Sequence, residues 1–311
     1  NAAVSLLGML ARVARRSPMG SCFFRAAKAP QQQLRGAAPM AGSLAVGGPS
    51  ERADVFVKAM TTRQWILETE RYPEAPKDVA ELYETHLAMQ QHELAAQLGG
   101  HGGYKLGAVG ALGETCIYAP LFSSFFADAP ARELSSASYQ VHQVEPEFGM
   151  VLGSDLPARA DGAPHSVEDV WSAVERVVLC IESCGRRASA ELAAAQTPLG
   201  KFADSLMAGA VVRGPSLPTS GLDVAGLAGC VTRLAVNGTQ VSEGSGAAVP
   251  NGGPVQALTW LANHLNGRGL SLQKGQLVIT GATCITRDIK IGDKVSASFA
   301  GLGDLEFVLE P

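Results

Sequence analysis

The chain has 311 residues, 46% hydrophobic and 17% charged, with 35 glycines and 17 prolines, which is the profile of a turn-rich globular protein and excludes a disordered or collagen-like one. No apolar run approaches the ~20 residues that a membrane-spanning helix needs. The net charge of −4 conceals an acidic body, −10 over residues 51–311, which repels phosphate backbones and argues against nucleic acid as a partner.

Residues 1–50 carry Arg12, Arg15, Arg16, Arg25, Lys28 and Arg35 and no acid. That composition reads as an unpacked organelle-import presequence, addressed to the mitochondrial matrix or another organelle, with a secretory segment or a merely disordered extension of a cytoplasmic protein as the alternatives. A helix is expected over 52–70, broken by Pro73 and Pro76. Asp78 with Glu81 resembles a capping box for a second helix over 79–98, where Val79, Leu82, Leu87, Leu94 and Leu98 recur near the helical period. Together these form an N-terminal helical segment, 51–100. A short strand over 104–108 comes next, then a long aromatic loop with Tyr118, Phe122, Phe125 and Phe126, then a strand over 141–152 interrupted by Pro146. Ser166 caps a helix to about Arg176, and 177–181 reads as a buried strand ending at Glu182. Asn237-Gly238 reads as the turn of a hairpin over 231–242, although Asn237-Gly238-Thr239 is formally a glycosylation sequon. Pro254 opens a helix that Gly267 closes, and strands near 276–280, 293–299 and 304–309 finish the chain. Strands outnumber helices without regular alternation, so the fold class is α+β. Cys22, Cys116, Cys180, Cys184, Cys230 and Cys284 form no CxxC pair, which fits reduced thiols better than a zinc site or a disulfide framework.

The segment that carries chemistry is Val144-Glu145-Pro146-Glu147. In a strand, residues i and i+2 share a face, so Glu145 and Glu147 stand side by side, about 7 Å apart at Cα. Buried together they repel, and a hard divalent ion is the natural neutraliser, with an exposed acidic strand face as the alternative. Glu182 ends an otherwise apolar run, where a lone acid needs a partner unless the strand emerges into solvent there.

These residues, with Gly103-Tyr104-Lys105-Leu106-Gly107, Cys180-Ile181-Glu182, Phe202-Ala203-Asp204-Ser205, Gly275 to Gly281 and Phe299-Ala300-Gly301-Leu302-Gly303, resemble the 2-oxopent-4-enoate hydratase and 2-oxo-3-hexenedioate decarboxylase family of the fumarylacetoacetate hydrolase superfamily. The resemblance runs from about Glu68 to Phe307. It implies a mixed β-roll or sandwich with flanking helices, the catalytic domain occupying 101–311, and a homo-oligomer acting on a small 2-oxo or 2-hydroxydienoic acid. It also implies Mg2+ or Mn2+ on Glu145, Glu147 and Glu182, an active-site lysine at Lys105, and substrate contacts from Asp204, Thr280 and Thr283. On that reading the ion chelates the carboxylate and 2-oxo oxygens. Lys105, its pKa lowered by desolvation and by the cation, moves the proton, and Glu145 activates the water that adds. Phe122, Phe125 and Phe126 either wall the pocket or belong to the core. Gly185, Ser205 and Ala282 stand where the family usually has Asp, Asn and Ser. The expected activity is hydration of 2-hydroxypenta-2,4-dienoate-type acids to 4-hydroxy-2-oxo acids. The alternatives are the decarboxylase, an acylpyruvate C–C hydrolase, and a catalytically silent assembly or binding subunit.

Overall fold

The computed structural model describes residues 47–109, 114–135 and 139–311, so the presequence expected over 1–50 lies almost wholly outside the described residues. Helix α1 (Pro49–Thr62) starts on Gly48, with Pro49 in its first turn and the Glu51 carboxylate accepting from the Gly48 N–H. It stops well short of residue 70. Thr61 and Thr62 turn their hydroxyls back onto the helix carbonyls four residues before, and Arg63 is left-handed. Helix α2 (Val79–Gln90) is capped by Asp78, but the expected box does not close, because Glu81 gives its carboxylate to the Lys77 N–H and to Arg52. The predicted single helix to 98 divides at Gln91, and a 3-10 turn, Glu93–Leu98, completes it.

The strands that follow are β1 (His101–Val109), β2 (Glu114–Phe122), β3 (Phe126–Asp128), β4 (Ala131–Ser135) and β5 (Gln140–Leu152). The expected aromatic loop is therefore two strands. β2 reads poorly in sequence because Ile117, Tyr118, Ala119, Leu121 and Phe122 are all buried, which erases the alternation of a half-buried strand. Pro120 is tolerated there because β2 is a sheet edge. Helix α3 (Val167–Ala173) ends earlier than expected, and β6 (Val174–Arg186) takes over without a turn.

Next come α4 (Ala190–Ala195), α5 (Pro198–Phe202), β7 (Ala210–Pro218), α6 (Val224–Gly229), β8 (Val231–Val236) and β9 (Thr239–Ser245). The β8–β9 hairpin turns on Asn237 and Gly238, both at positive φ, as a two-residue turn requires. Helix α7 (Pro254–Asn266) and strands β10 (Leu277–Ala282), β11 (Lys294–Phe299) and β12 (Gly303–Glu310) end the fold.

Two mixed sheets result, ordered β2-β1-β10-β5-β6-β7-β3 and β4-β12-β11-β8-β9. One core includes Phe148, Leu179 and Val212 of the larger sheet and Phe299, Phe307 and Leu234 of the smaller. Phe148 and Phe299 meet edge-on with ring centroids 5.1 Å apart. A second core packs Phe56, Val57, Leu82 and Met89 of α1 and α2 with Leu121, Val151, Cys180, Leu277 and Ile279. Pro146 does not interrupt β5. Its carbonyl accepts from the Thr283 N–H and Oγ1, and its missing N–H falls where the β5–β10 register is already broken. Among the described residues the cysteines are unbridged, and no helix is long and apolar enough to cross a membrane.

Candidate functional site

Along β5 and β6 the alternation is strict enough to sort chemistry from packing. Val144, Phe148, Met150, Leu179 and Ile181 join the first core, while Val151, Val178 and Cys180 face the other way. The odd-numbered positions of β5 and the even-numbered ones of β6 share that second face. β5 and β6 pair with Glu145 opposite Glu182, Glu147 opposite Cys180 and Gln143 opposite Cys184. The three carboxylates and Cys184 thus stand together on one face of the larger sheet. β1 lies parallel to β10 with Lys105 level with Ile279, and Ile279 is opposite Gly149 on β5, so Lys105 falls on the same face.

Lys105 Nζ donates to Glu182 Oε1 at 2.7 Å and lies 3.7 Å from Cys184 Sγ. Gln143 Nε2 donates to Glu145 Oε1. The Gly281 N–H donates to Glu147 Oε2 at 2.6 Å. Gly281 has φ +108°, and a Cβ there would lie 2.6 Å from Pro250 Cδ, so only glycine brings this N–H to the carboxylate without displacing Pro250.

Three carboxylates face one ammonium in a site that water barely reaches. Burial pushes the Glu145 carboxyl up and Glu182 adds to it, against Lys105 and Gln143. Glu147 is driven well above the usual carboxylate range by burial, Glu182 and Glu145. Burial alone would pull the Lys105 ammonium down, but Cys184, Glu182, Glu145 and Glu147 together overcome it and the net shift is upward. The lowering that desolvation alone would bring is therefore outweighed, because the lysine is buried among acids rather than among hydrocarbon.

Glu147 and Glu182 are fully buried, yet Glu147 Oε1 and Glu182 Oε2 have no hydrogen-bond partner. Such orphaned oxygens are costly, and a negatively charged oxygen-donor set is what a hard divalent cation demands. The donors fit a divalent cation. Glu182 is mid-strand, which removes the alternative that its strand ends there in solvent.

A cavity of about 380 Å³ opens on the cluster, lined by Lys105, Gln143, Glu145 and Cys184 on the polar side and by Phe202, Leu206, Met207, Pro250, Ala282 and Ile285 elsewhere, with exposed Arg287 at the margin. Leu206 and Met207 come from a tight turn in which Ser205, Leu206 and Met207 all have left-handed φ, 47°, 54° and 57°. That conformation costs about 1–2 kcal/mol per non-glycine residue. Ser205 anchors the turn by donating its Oγ to the Pro120 carbonyl at 2.6 Å.

The other predicted site residues are not among those lining the cavity. Asp204 accepts from the Arg187 N–H at 2.8 Å and from Arg187 Nη1 at 3.1 Å, a buried ion pair. Thr280 Oγ1 donates to the Phe148 carbonyl, and Thr283 Oγ1 donates to the Pro146 carbonyl while facing Thr232 Oγ1 at 2.7 Å. Phe122 and Phe125 belong to the second core, and Arg187 lies over the Phe125 ring at 5.2 Å. Of the three departures from the family pattern, Ala282 lines the cavity, Ser205 anchors the left-handed turn, and Gly185 makes room for an aromatic ring. A Cβ on Gly185 would lie 1.9 Å from Tyr139 Cδ2. Sequence reasoning missed Gln143, Cys184, Leu206, Met207 and Arg287. The first two could have been found, since each is two residues from a predicted ligand on the same strand face.

Residues 116–310 match the Fumarylacetoacetate (FAA) hydrolase C-terminal family. The chain is 32% identical over 197 residues to a 2-keto-4-pentenoate hydratase of Paraburkholderia xenovorans, covering 61% of this chain and 68% of that protein. It is 28% identical over 286 residues to 2-keto-4-pentenoate hydratase 1 of Dechloromonas aromatica, covering 89% and 92%. The structure of 4-oxalocrotonate decarboxylase from Pseudomonas putida G7, complexed with magnesium and adipate, superposes with a TM-score of 0.70 at 22% identity, covering 84% of this chain and 97% of that one.

Proposed function

Since the chain belongs to the fumarylacetoacetate (FAA) hydrolase C-terminal family, we propose that it is a hydro-lyase that adds water to 2-hydroxypenta-2,4-dienoate-type acids and yields 4-hydroxy-2-oxo acids. The identity to 2-keto-4-pentenoate hydratases supports the reaction. The observation that carries the reading to residues is the buried Lys105 ammonium, 2.7 Å from Glu182, set beside Glu145 at the cavity.

Glu145, Glu147 and Glu182 are the residues that would hold the ion, with Mg2+ or Mn2+ the proposed identity. A bound divalent cation supplies Lewis-acid polarisation of the 2-oxo group. Lys105, kept protonated by its acidic neighbours, is the proton donor to the terminal carbon of the dienol, and the 2-hydroxyl proton recharges Nζ. That shift leaves one C=C bond, between C3 and C4; Glu145, the one of the three carboxylates that lines the cavity, takes a proton from the water that adds to C4 and returns it to C3. Leu206, Met207 and Phe202 keep bulk water from the apolar end of the substrate. Asp204 acts at one remove by holding Arg187, and Thr280 and Thr283 by holding the β5 backbone beside the carboxylates.

A second reading, decarboxylation of a dicarboxylic 2-oxo acid, is favoured by exposed Arg287 at the cavity margin, which suits a distal carboxylate. The purified chain with Mg2+ or Mn2+ should bleach the absorbance of 2-hydroxypenta-2,4-dienoate without releasing carbon dioxide. Carbon dioxide from a 2-oxo-enedioate favours the second reading. Divalent-ion binding with no turnover of any 2-oxo acid overturns both. The basic, acid-free head supports import into the mitochondrial matrix, and the family resemblance supports a homo-oligomer. A fluorescent fusion with and without residues 1–50, and light scattering of the purified protein, test these two points.

A further inference from the structure

We propose that Cys184 supplies a sulfur donor to the cation centre, so that this protein binds thiophilic divalent ions such as Cd2+, Zn2+ and Co2+ through a metal–sulfur bond. This rests on the reading that Glu145 and Glu182 hold a divalent ion. The alternation of β6 sets Cys184 two residues beyond Glu182 on the same face, and the pairing with β5 sets it next to Glu145. One donor atom from each of Glu145, Glu182 and Cys184 lies within 4.8 Å of the other two.

Glu182 has no solvent exposure and its Oε2 is unpartnered. Cys184 Sγ lies 3.7 Å from Lys105 Nζ and hydrogen-bonds the Glu145 carboxylate, both weak contacts for a thiol that an incoming cation can replace. The sulfur lines the same cavity as Glu145 and Lys105, so an ion entering there meets it at once. Two carboxylates and one sulfur form a mixed donor set. Oxygen donors alone suit Mg2+ and Mn2+, whereas a sulfur adds affinity selectively for softer ions. When such an ion binds, the S–H bond breaks, a sulfur–metal bond forms and the thiol proton leaves to water. No electron is transferred.

The consequence is a centre with two sets of acceptable ions. Hard ions are held by the carboxylates with the thiol as a neutral neighbour, and soft ions recruit the thiol as a ligand. Cys180 is the control that the fold provides. It lies on the same strand face opposite Glu147, but its Sγ turns to the Val178 carbonyl at 3.5 Å.

The test titrates the full chain with Cd2+ and with Mn2+, following the ultraviolet sulfur-to-cadmium charge-transfer band and the electron paramagnetic resonance of free Mn2+. The wild-type chain should develop the band in step with one equivalent of Cd2+, and Cd2+ should displace Mn2+. Cys184→Ser and Cys184→Val should lose the band, retain Mn2+ binding, and bind Cd2+ more weakly by at least the roughly 10- to 100-fold that losing even an outer partner of a metal costs. Cys180→Ser should keep the band. Normal Mn2+ binding with no band at full Cd2+ occupancy, or a band unchanged in both Cys184 variants, overturns the sulfur donor and leaves the carboxylate site standing. Failure of the wild-type chain to bind either ion overturns both.

Discussion

Glu145 and Glu182 face one another across adjacent antiparallel strands, a placement in which two carboxylates normally destabilise a sheet. The Lys105 ammonium against Glu182 offsets part of this repulsion, and the acids left over are what the proposed cation would neutralise.

Glu147→Gln separates charge from shape. Burial, Glu182 and Glu145 push the Glu147 carboxyl up, so a neutral amide of the same shape relieves that repulsion, and the Gly281 N–H keeps its acceptor. Without divalent ions its melting temperature should stay within about 2 °C of wild type. Wild type should gain roughly 5–10 °C at a hundredfold excess of Mg2+ over Kd, and the variant should gain none. Calorimetric scans with and without chelator decide this, and an equal gain in both chains would remove Glu147 from the ligand set.

Lys105→Met should retain Mn2+ binding and lower kcat by roughly 10²- to 10⁴-fold, as expected for loss of a proton-transfer group. Steady-state rates on 2-hydroxypenta-2,4-dienoate, with metal content measured alongside, separate this from metal loss. A variant that keeps more than a tenth of wild-type kcat would make the lysine a charge partner only.

His86 gives the fold an acid-sensitive point outside the acid cluster. Its Nδ1 faces the Tyr118 carbonyl at 3.2 Å and its Nε2 the Phe202 carbonyl at 3.0 Å. Burial pulls its pKa down to about 4, although the two carbonyls resist. A base with a depressed folded pKa contributes stability that is complete above its unfolded value near 6.5 and is lost as pH falls towards 4. The loss amounts to roughly 3 kcal/mol at most. Urea unfolding at pH 7 and pH 4.5 should show a smaller drop for His86→Gln than for wild type, even if the variant begins less stable. Identical drops would mean that this ring does not titrate on unfolding.

Gly185→Ala should be far more damaging than an exposed strand substitution, because the added carbon meets the Tyr139 ring at 1.9 Å. A cost of about 1–3 kcal/mol from overpacking is expected. Combining it with Tyr139→Ala should cost less than the sum of the two single changes, by at least about 0.5 kcal/mol. Denaturant midpoints of the four chains measure the coupling, and strict additivity would show that the ring moves freely aside.

The legible parts of the site were those governed by local periodicity. Glu145 and Glu147 could be placed side by side from a period of two, and Glu182 stood out in an apolar run. That Lys105 reaches Glu182, 77 positions along the chain, depends on the parallel pairing of β1 with β10, which no local pattern specifies. The strand expected to end at Glu182 continues through Ser183-Cys184-Gly185-Arg186, because Gly185 is small for the sake of Tyr139 rather than for a bend. β2 was hidden for the opposite reason. Its two faces are equally buried, so its apolar residues run together as they would in an irregular aromatic segment. The hairpin at Asn237-Gly238 and the helix opened by Pro254 were readable because turn and cap chemistry act within a few residues.

The left-handed turn at Ser205 to Met207 divides the labour of the cavity. Lys105 and the acid cluster sit on strands that the larger sheet holds in place, whereas Leu206 and Met207 hang from a short loop fastened at Ser205. On the proposed reading, substrate length can be retuned by exchanging a few loop residues while the acid cluster stays where it is, so a change of diet would require no new chemistry.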